Sequence, residues 1–347
     1  MNKKCPKNKK KKKIALALQG GGAHGAFTWG VLDKFLECDL FEIEGISGTS
    51  AGGMNAVALI QGMMENGPEG ARDTLGSYWN EITELNYLSP YQMSYIDKAK
   101  EDYNFSKNPM FQMMNVMKSF FSPYDTNPFD TNLLKNLLSK FFKFNQLKKY
   151  KEIKLFLCAT HVKSGKLRIF KLEDLSLDVM LASSCLPSLF KAVEIEGESY
   201  WDGGFVGNPA IYPLIYDCET PDIVIIQLTP NTRNEIPHSS QEISDRHKEI
   251  TYNACLMREL RSIILITDMI EKGIINDPKI KKLHMHLIKN EDFFRSLDIS
   301  SAVNTNRQFI TKLYNEGYKT AEKWIEENYD SIGKKGTAEL RKDFADF

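Results

Sequence analysis

"IALALQGGGAHGAF", from Ile14 to Phe27, joins an apolar run to a glycine-rich loop, and this stretch decides which fold the chain can form. A short apolar run that stops at glycines is typical of a buried strand, and apolar residues at helical spacing follow it. Two chemistries fit the loop. The pattern Gly20-x-Gly22-x-x-Gly25 matches the fingerprint for a dinucleotide pyrophosphate. The same bare amides at a helix start could instead hold the oxyanion of an acyl-transfer intermediate.

The order of strand, glycine turn and helix recurs further along the chain. "FEIEGISG" (41–48) predicts a second strand, and "GTSAGGMNAVALIQG" (48–62) predicts a turn that leads into a helix. Later strands are predicted in "IKLFLCATHV" (153–162), "KLRIFKL" (166–172) and "DIVIIQLTP" (222–230). The continuous apolar content of the last run indicates burial on both faces. This alternation favours an α/β fold built on a mostly parallel sheet.

Size and composition indicate a folded globular protein. A chain of 347 residues suits one large domain or two modest ones. Its 42% of hydrophobic and 26% of charged residues exclude disordered and collagen-like classes. No apolar run approaches the roughly 20 residues that span a bilayer, so we predict no transmembrane helix.

Residues 1–13, "MNKKCPKNKKKKK", form a basic tail with eight lysines and no acid. The tail resembles the start of a secretion signal, but no apolar helix or small-residue cleavage site follows it, so we expect it to be retained. We predict a flexible, solvated tail, with attraction to an anionic membrane as the functional alternative. The predicted location is cytoplasmic or membrane-peripheral, export without a cleaved signal stays open, and no nucleic-acid partner is expected.

The cysteines and histidines predict neither a metal site nor a cofactor. The six cysteines lack a C-x-x-C pair, which is typical of small core residues in a reducing compartment. The six histidines are dispersed, and the near pair His284 and His286 has no cysteine or acidic ligand close by in the sequence.

The motif "GTSAG", Gly48 to Gly52, matches G-x-S-x-G and makes Ser50 the candidate nucleophile. A serine at a sharp turn between strand and helix occupies a strained backbone position, and the glycines leave room for its exposed hydroxyl. The helix that follows places positive partial charge near a developing anion.

A serine hydroxyl needs a base. An α/β-hydrolase order would require a late histidine, but no candidate follows a predicted strand in a glycine-marked loop; the candidates are His238, His247, His284 and His286. Asp202 in "ESYWDGGFVGNPA" is better placed, since it follows a short strand-like piece and precedes Gly203 and Gly204. An ordinary Asp-Gly hairpin turn is the alternative interpretation of this segment.

Two further regions differ in character from the predicted α/β part. Residues from about 84 to 150 form an insert that contains "MFQMMNVMKSFF", whose helical spacing favours core packing, with a flexible apolar lid or lipid entrance as the alternative. Residues 230–347 are predominantly helical, with long amphipathic stretches. The predicted division is therefore a tail (1–13), a catalytic domain (14–229) and a C-terminal extension (230–347).

Taken together, the glycine loop, "GTSAG" and the Asp-Gly-Gly motif resemble the patatin-like phospholipases in order and approximate spacing. The segment "LASSCLPSLFKAVEIEGESYWDGG" also resembles that family, and the C-terminal region resembles one bacterial branch of it. The resemblance implies a three-layer sandwich with a mostly parallel central sheet. It also implies a lipid acyl hydrolase with a Ser-Asp dyad, acting on phospholipid or other fatty-acyl esters.

Carried over by position, the resemblance makes Ser50 the nucleophile and Asp202 its base. The implied oxyanion hole is the glycine loop, Gly20, Gly21, Gly22, Ala23, His24 and Gly25, with the amides of Gly21, Gly22 and Ala23 as its donors. Asp202 would need partial desolvation to act as a base, because an ordinary carboxyl pKa of about 4 is too low. The position of His24 is often Arg or Lys in the family, so a role for fixed positive charge there is in doubt.

Three alternatives stay open at this point. An acyltransferase would use the same residues with an alcohol in place of water, and a silent lipid carrier would keep the scaffold without turnover. An NAD(P)-binding oxidoreductase would need an acid at the end of the second strand. Glu42 and Glu44 lie instead near its start, so the loop favours an oxyanion over a nucleotide.

Overall fold

The computed structural model describes residues 9–127 and 130–344. Within these residues the strands are β1 (Lys12–Leu18), β2 (Phe41–Gly48), β3 (Lys154–His161), β4 (Leu167–Lys171), β5 (Val193–Ile195), β6 (Glu198–Asp202), β7 (Asp222–Ile226) and β8 (His284–Ile288). The α-helices are α1 (Gly25–Cys38), α2 (Ala51–Glu84), α3 (Tyr95–Lys100), α4 (Pro109–Phe120), α5 (Pro123–Thr126), α6 (Leu133–Phe141), α7 (Phe144–Leu147), α8 (Leu177–Ser183), α9 (Tyr212–Asp217), α10 (Ser240–Glu271), α11 (Glu291–Arg295), α12 (Arg307–Asn328) and α13 (Leu340–Phe344).

The strands form one mostly parallel sheet in the order β5-β6-β3-β2-β1-β7-β8, with β4 also paired to β3. Strands β3, β2, β1, β7 and β8 run parallel to one another, whereas β4 and β6 are antiparallel to β3 and β5 is antiparallel to β6. The glycine loop follows β1 and Ser50 follows β2. Because adjacent parallel strands end at the same edge, the two motifs lie side by side.

Helices cover both faces of the sheet, which confirms the three-layer sandwich. Alternate side chains of β1 point to opposite faces. Ile14, Leu16 and Leu18 join one apolar cluster with α1, α2 and α12. Ala15 and Ala17 join a second cluster with α9 and α10.

The C-terminal region adds a strand to the sheet that the sequence did not predict. Strand β8 pairs in parallel with β7 over its whole length, so His284 lies opposite Asp222. The same region supplies α12, which lies close to α1: a Cβ at Gly30 would lie 2.0 Å from the Tyr314 carbonyl oxygen, and one at Gly317 2.0 Å from that of Phe27. Residues 230–344 therefore share the core and the sheet with the segment before them.

The expectation that the methionine-rich segment packs in the core is wrong for most of its residues. In α4 only Phe111 is buried. Met113, Val116 and Met117 are exposed, as are the two phenylalanines that end the segment, Phe120 and Phe121. Helical spacing identifies residues that share a face, but it does not say whether another element covers that face.

The described part of the basic tail contacts the body of the protein. Strand β1 begins at Lys12, before the predicted boundary at residue 13. The Lys12 ammonium donates to the carbonyl oxygens of Tyr329 and Ile332, both at 2.7 Å, and Lys9 pairs with Asp330 at 3.0 Å. Residues 1–8, on which most of the tail prediction rests, lie outside the described residues.

In residues 9–127 and 130–344, no helix has the length and apolar content that a membrane crossing requires.

Candidate active site

Ser50 lies at the sharp turn between β2 and α2 that the sequence predicted. Its backbone has φ 52° and ψ −124°, a left-handed conformation that costs a non-glycine residue about 1–3 kcal/mol. Side chains beside it would clash. A Cβ at Gly52 would lie 2.2 Å from the Leu18 carbonyl oxygen, and one at Gly48 would lie 2.8 Å from the Gly53 nitrogen. The two glycines therefore allow α2 to start directly against the end of β1.

Hydrogen bonds from other segments hold this turn in place. The Ser50 N–H donates to the Ser183 hydroxyl at 3.1 Å, and the Thr49 hydroxyl donates to the Gly207 carbonyl at 2.6 Å. Ser183 is fully buried. It belongs to the Ala-Ser pair of the family-like segment, but the sequence alone gave it no role.

Strand β3 brings Asp202 to Ser50, although 152 positions separate them in the numbering. Gly48 at the end of β2 pairs with Leu157, and Asp202 at the end of β6 pairs with Ala159. Leu157 and Ala159 also both pair with β4, which occupies one edge of β3. Strands β2 and β6 must therefore pair with the other edge of β3. The ends of β2 and β6 therefore meet on one edge, two β3 residues apart.

The Asp202 carboxyl is buried, with 3% of the residue exposed. The Gly204 N–H donates to its Oδ1 at 2.7 Å, and its own N–H donates to the Cys185 carbonyl at 2.8 Å. Burial raises the pKa of Asp202 to about 6, against the lowering effect of hydrogen bonds from Gly204 and the Ser50 side chain. The carboxylate is thus desolvated, in contact with Ser50 and ionised at neutral pH.

The glycine loop lies directly against the serine turn. A Cβ at Gly20 would lie 2.8 Å from the Thr49 carbonyl oxygen and 3.0 Å from the Ser50 Cβ, and one at Gly25 would lie 2.8 Å from the Ala51 Cβ. Bare glycines at both ends of the loop are what permit this approach.

The three residues of the predicted oxyanion loop that are not its predicted donors have their N–H groups bonded elsewhere. The Gly20 N–H donates to Asn208 Oδ1 at 2.7 Å. The His24 N–H donates to the Gly21 carbonyl, and the Gly25 N–H to carbonyls of the same short 3₁₀ turn. Gly20, His24 and Gly25 can therefore shape the loop but cannot supply an oxyanion donor.

The remaining N–H groups of the loop, those of Gly21, Gly22 and Ala23, have no acceptor within residues 9–127 and 130–344. They open the 3₁₀ turn Gly22–His24 that runs into α1. Unbonded amides at the start of a helical segment attract an anion.

A buried polar network behind the loop escaped the sequence analysis. Asn208 accepts from Gly20, as described above. Gln19 donates to Asn253 Oδ1 at 2.9 Å, while its own Oε1 accepts from the Leu228 N–H at 2.7 Å. Gln19 directly precedes Gly20, and Asn208 directly follows Gly207. These neighbouring glycines are the only local signal that marks the two residues. Asn253, from α10, carries no such signal.

His24 is neutral in this environment. Its ring packs against Phe294 and Phe309, with centroids 5.5 and 6.2 Å away. Burial, followed by the charge of Arg233, lowers the pKa of His24 to about 4. The Ser301 hydroxyl donates to the Asp298 carbonyl, so it accepts from His24 Nε2–H at 2.7 Å. No fixed positive charge stands at this position of the loop.

The late histidines do not join Ser50. His286 and His284 contact Asp222, the first residue of β7, at 3.0 and 3.3 Å. That position is at the opposite end of the parallel strands from Ser50. His238 and His247 are exposed at the start of α10.

The structure also weakens the nucleotide interpretation. Glu44 accepts hydrogen bonds from the N–H groups of Glu219 and Thr220 at 2.6 and 2.9 Å, and pairs with Lys154. Strand β2 ends in Gly48, without an acid for ribose hydroxyls. Among the described residues, no cluster of three or more histidine, cysteine or acidic side chains could hold a metal ion.

The fold and the serine turn define an α/β protein of the nucleophile-elbow type. A family model described as patatin-like phospholipase matches residues 16–215, and the chain belongs to this family. Membership supports lipid hydrolysis, with lipid as the substrate class. The matched range contains Ser50, Asp202 and the whole glycine loop.

Solved structures give weaker likenesses, and no curated protein matches the sequence. VipD from Legionella pneumophila is 12% identical with a TM-score of 0.42, over 96% of this chain and 73% of that one. A structure of the ExoU and SpcU complex from Pseudomonas aeruginosa is 13% identical with a TM-score of 0.33. That likeness covers 91% of this chain and 53% of the other, so the chain spans about half the length of that relative.

Proposed function

We propose that the protein is a serine lipid acyl hydrolase of the phospholipase A or lysophospholipase type, with Ser50 and Asp202 as its catalytic dyad. The observation that carries the proposal is the contact between a strained serine and a buried carboxyl whose pKa is raised to about 6. A base with a pKa just below neutral is ionised at pH 7 and more basic than an ordinary aspartate.

The reaction follows from these positions. Asp202 accepts the Ser50 proton while Ser50 Oγ attacks the ester carbonyl carbon, and the N–H groups of Gly21, Gly22 and Ala23 stabilise the oxyanion. Collapse of the intermediate breaks the ester bond, and the leaving alcohol takes the proton from Asp202. Water then loses a proton to Asp202 and attacks the acyl-enzyme carbonyl carbon. The bond to Ser50 Oγ breaks, Oγ takes the proton back from Asp202, and the fatty acid is released.

A fluorophosphonate probe tests the nucleophile directly. We expect covalent labelling and fatty-acid release from a phospholipid panel in the wild type, and neither in Ser50→Ala. Ser262→Ala, at an exposed serine of α10, is the matched control and should behave as the wild type. Labelling of folded Ser50→Ala would overturn the proposal.

The base needs its own variant. Asp202→Asn keeps the shape of the side chain but removes its basicity, so hydrolysis should fall by about 10²–10⁴-fold. Product analysis with glycerol as a competing acceptor separates hydrolysis from acyl transfer, because free fatty acid and a new acylglycerol differ in mass. Binding of lipid by the wild type without any turnover would favour a silent carrier instead.

A further inference from the structure

Helix α4 carries an apolar stripe that points away from the protein. Met110, Met113, Met117 and Phe120 recur at helical spacing on one face, and all are exposed. Met113 is 51% and Phe120 78% exposed, and Val116 beside them is 59% exposed. An exposed apolar patch of this kind marks an interaction surface more often than chance.

The opposite face of α4 is anchored, so the outward stripe has a fixed orientation. Phe111 is buried against Tyr91, with ring centroids 5.2 Å apart, and also lies near Phe105. Met114 packs on the main apolar cluster. The Asn108 side chain caps the start of the helix by accepting from the Met110 and Phe111 N–H groups.

The C-terminal end of the segment, from Lys118 to Tyr124, borders the candidate active site. Burial and the nearby charge of Lys248 lower the pKa of Lys118, which places the end of α4 beside α10. Tyr252, one turn after Lys248, packs against Gly204, where a Cβ would lie 2.9 Å from its ring. Just after α4, the Tyr124 hydroxyl accepts from the Ala192 N–H at 3.2 Å, in the loop that follows Cys185.

The charge of this segment complements an anionic surface. Residues 103–124 contain Lys107 and Lys118 and no aspartate or glutamate, and Asp102 and Asp125 lie directly outside this range. A bilayer with anionic headgroups offers acyl chains to the stripe and phosphates to the lysines.

We propose that the outward face of α4, formed by Met110, Met113, Val116, Met117 and Phe120, docks onto an anionic phospholipid bilayer and holds the neighbouring candidate active site close to its surface. The proposal rests on the proposed function for the fate of the docked lipid. Docking itself requires neither Ser50 nor Asp202.

Vesicle flotation of the full chain tests the proposal, with all variants carried in the inactive Ser50→Ala background. The vesicles are pure phosphatidylcholine or phosphatidylcholine with about a third of phosphatidylglycerol. The test variant is Met113→Ser/Met117→Ser/Phe120→Ser. The matched control is Leu265→Ser/Ile266→Ser/Ile274→Ser, which removes three exposed apolar residues at and after the far end of α10.

We expect the α4 variant to lose at least about tenfold of its binding to anionic vesicles, and the control to keep it. Lys118→Gln should weaken binding to anionic vesicles and leave binding to neutral ones unchanged. With Ser50 restored, the α4 variant should hydrolyse a soluble short-chain ester at the wild-type rate but vesicle lipid poorly.

The docking proposal is overturned if the α4 variant binds anionic vesicles as well as the parent protein does. It is also overturned if the control variant loses as much binding as the α4 variant. Failure of the wild type to hydrolyse any ester, with docking intact, overturns the proposed function alone. Binding of the wild type that is equal on neutral and anionic vesicles overturns the anionic specificity.

Discussion

The side-chain oxygen of Asn208 accepts a hydrogen bond from the Gly20 N–H at 2.7 Å, across 188 positions of sequence. This bond joins the segment after Asp202 to the loop after β1. Since Asp202 and the loop both contact the Ser50 turn, Asn208 helps to set the position of the proposed oxyanion amides relative to the proposed base.

Asn208→Ala should therefore reduce catalysis more than substrate binding. The variant leaves the buried Gly20 N–H without an acceptor, which costs about 1–3 kcal/mol and lets the loop shift. We expect kcat for a soluble ester to fall by about 10²-fold with KM changed little. Steady-state kinetics measures both, and Asn234→Ala, at an exposed position, serves as the control. A kcat within twofold of the wild type would show that the bond is dispensable.

The pH dependence of hydrolysis should report the raised pKa of Asp202. The carboxyl must be ionised to accept the serine proton, and its pKa of about 6 lies above the ordinary value of 3.8. We expect kcat/KM to be constant above about pH 7 and to fall tenfold per pH unit below about pH 6. The rate of fluorophosphonate labelling should have the same acid limb, with circular dichroism to confirm folding. A limb centred near pH 4 would contradict the desolvated base.

Much of this geometry was readable from local patterns, and the failures have physical causes. The apolar runs around Ile14 and Ile223 predict buried strands because their own residues are apolar, so burial can be inferred without knowing which strands lie beside them. Strand β8, by contrast, carries His284 and His286, whose burial depends on Asp222 from another strand. No local pattern contains that partner.

The same distinction applies to the site. Ser50 and Asp202 were recognisable because glycines beside them report a local steric need. Asn208 and Asn253 act through single contacts to distant residues, and a polar residue in a loop has many ordinary explanations. The prediction for the methionines of α4 was wrong for a different reason. Their periodicity shows correctly that they share one face of the helix, but it does not show that this face is exposed.

Alanine at Gly52 should be far more harmful than alanine at Gly76, although both lie in α2. A Cβ at Gly52 would lie 2.2 Å from a backbone oxygen, whereas one at Gly76 would meet only Trp29 at 3.8 Å. We expect Gly52→Ala to lose about 3 kcal/mol of unfolding free energy or more. Gly76→Ala should be neutral or gain up to about 1 kcal/mol from helix propensity. Urea unfolding measures both, and equal effects would show that the elbow does not need a bare backbone.

We expect the protein to stay stable when a neutral residue replaces His24 and to lose stability when a positively charged residue replaces it. Glutamine can still donate to the Ser301 hydroxyl. We therefore expect the unfolding free energy of His24→Gln to lie within about 1 kcal/mol of the wild-type value at pH 7.5. Arginine, a common residue at this position in the family, would bring a second guanidinium near Arg233 and bury it between Phe294 and Phe309. The Arg233 guanidinium already donates to the Glu249 carboxylate and to the Leu297 carbonyl. We expect His24→Arg to cost about 3 kcal/mol or more, because a buried guanidinium loses its hydration and is repelled by the charge of Arg233. If both variants were as stable as the wild type, His24 would not be held as a buried neutral ring, and the loop could accommodate a positive charge after all.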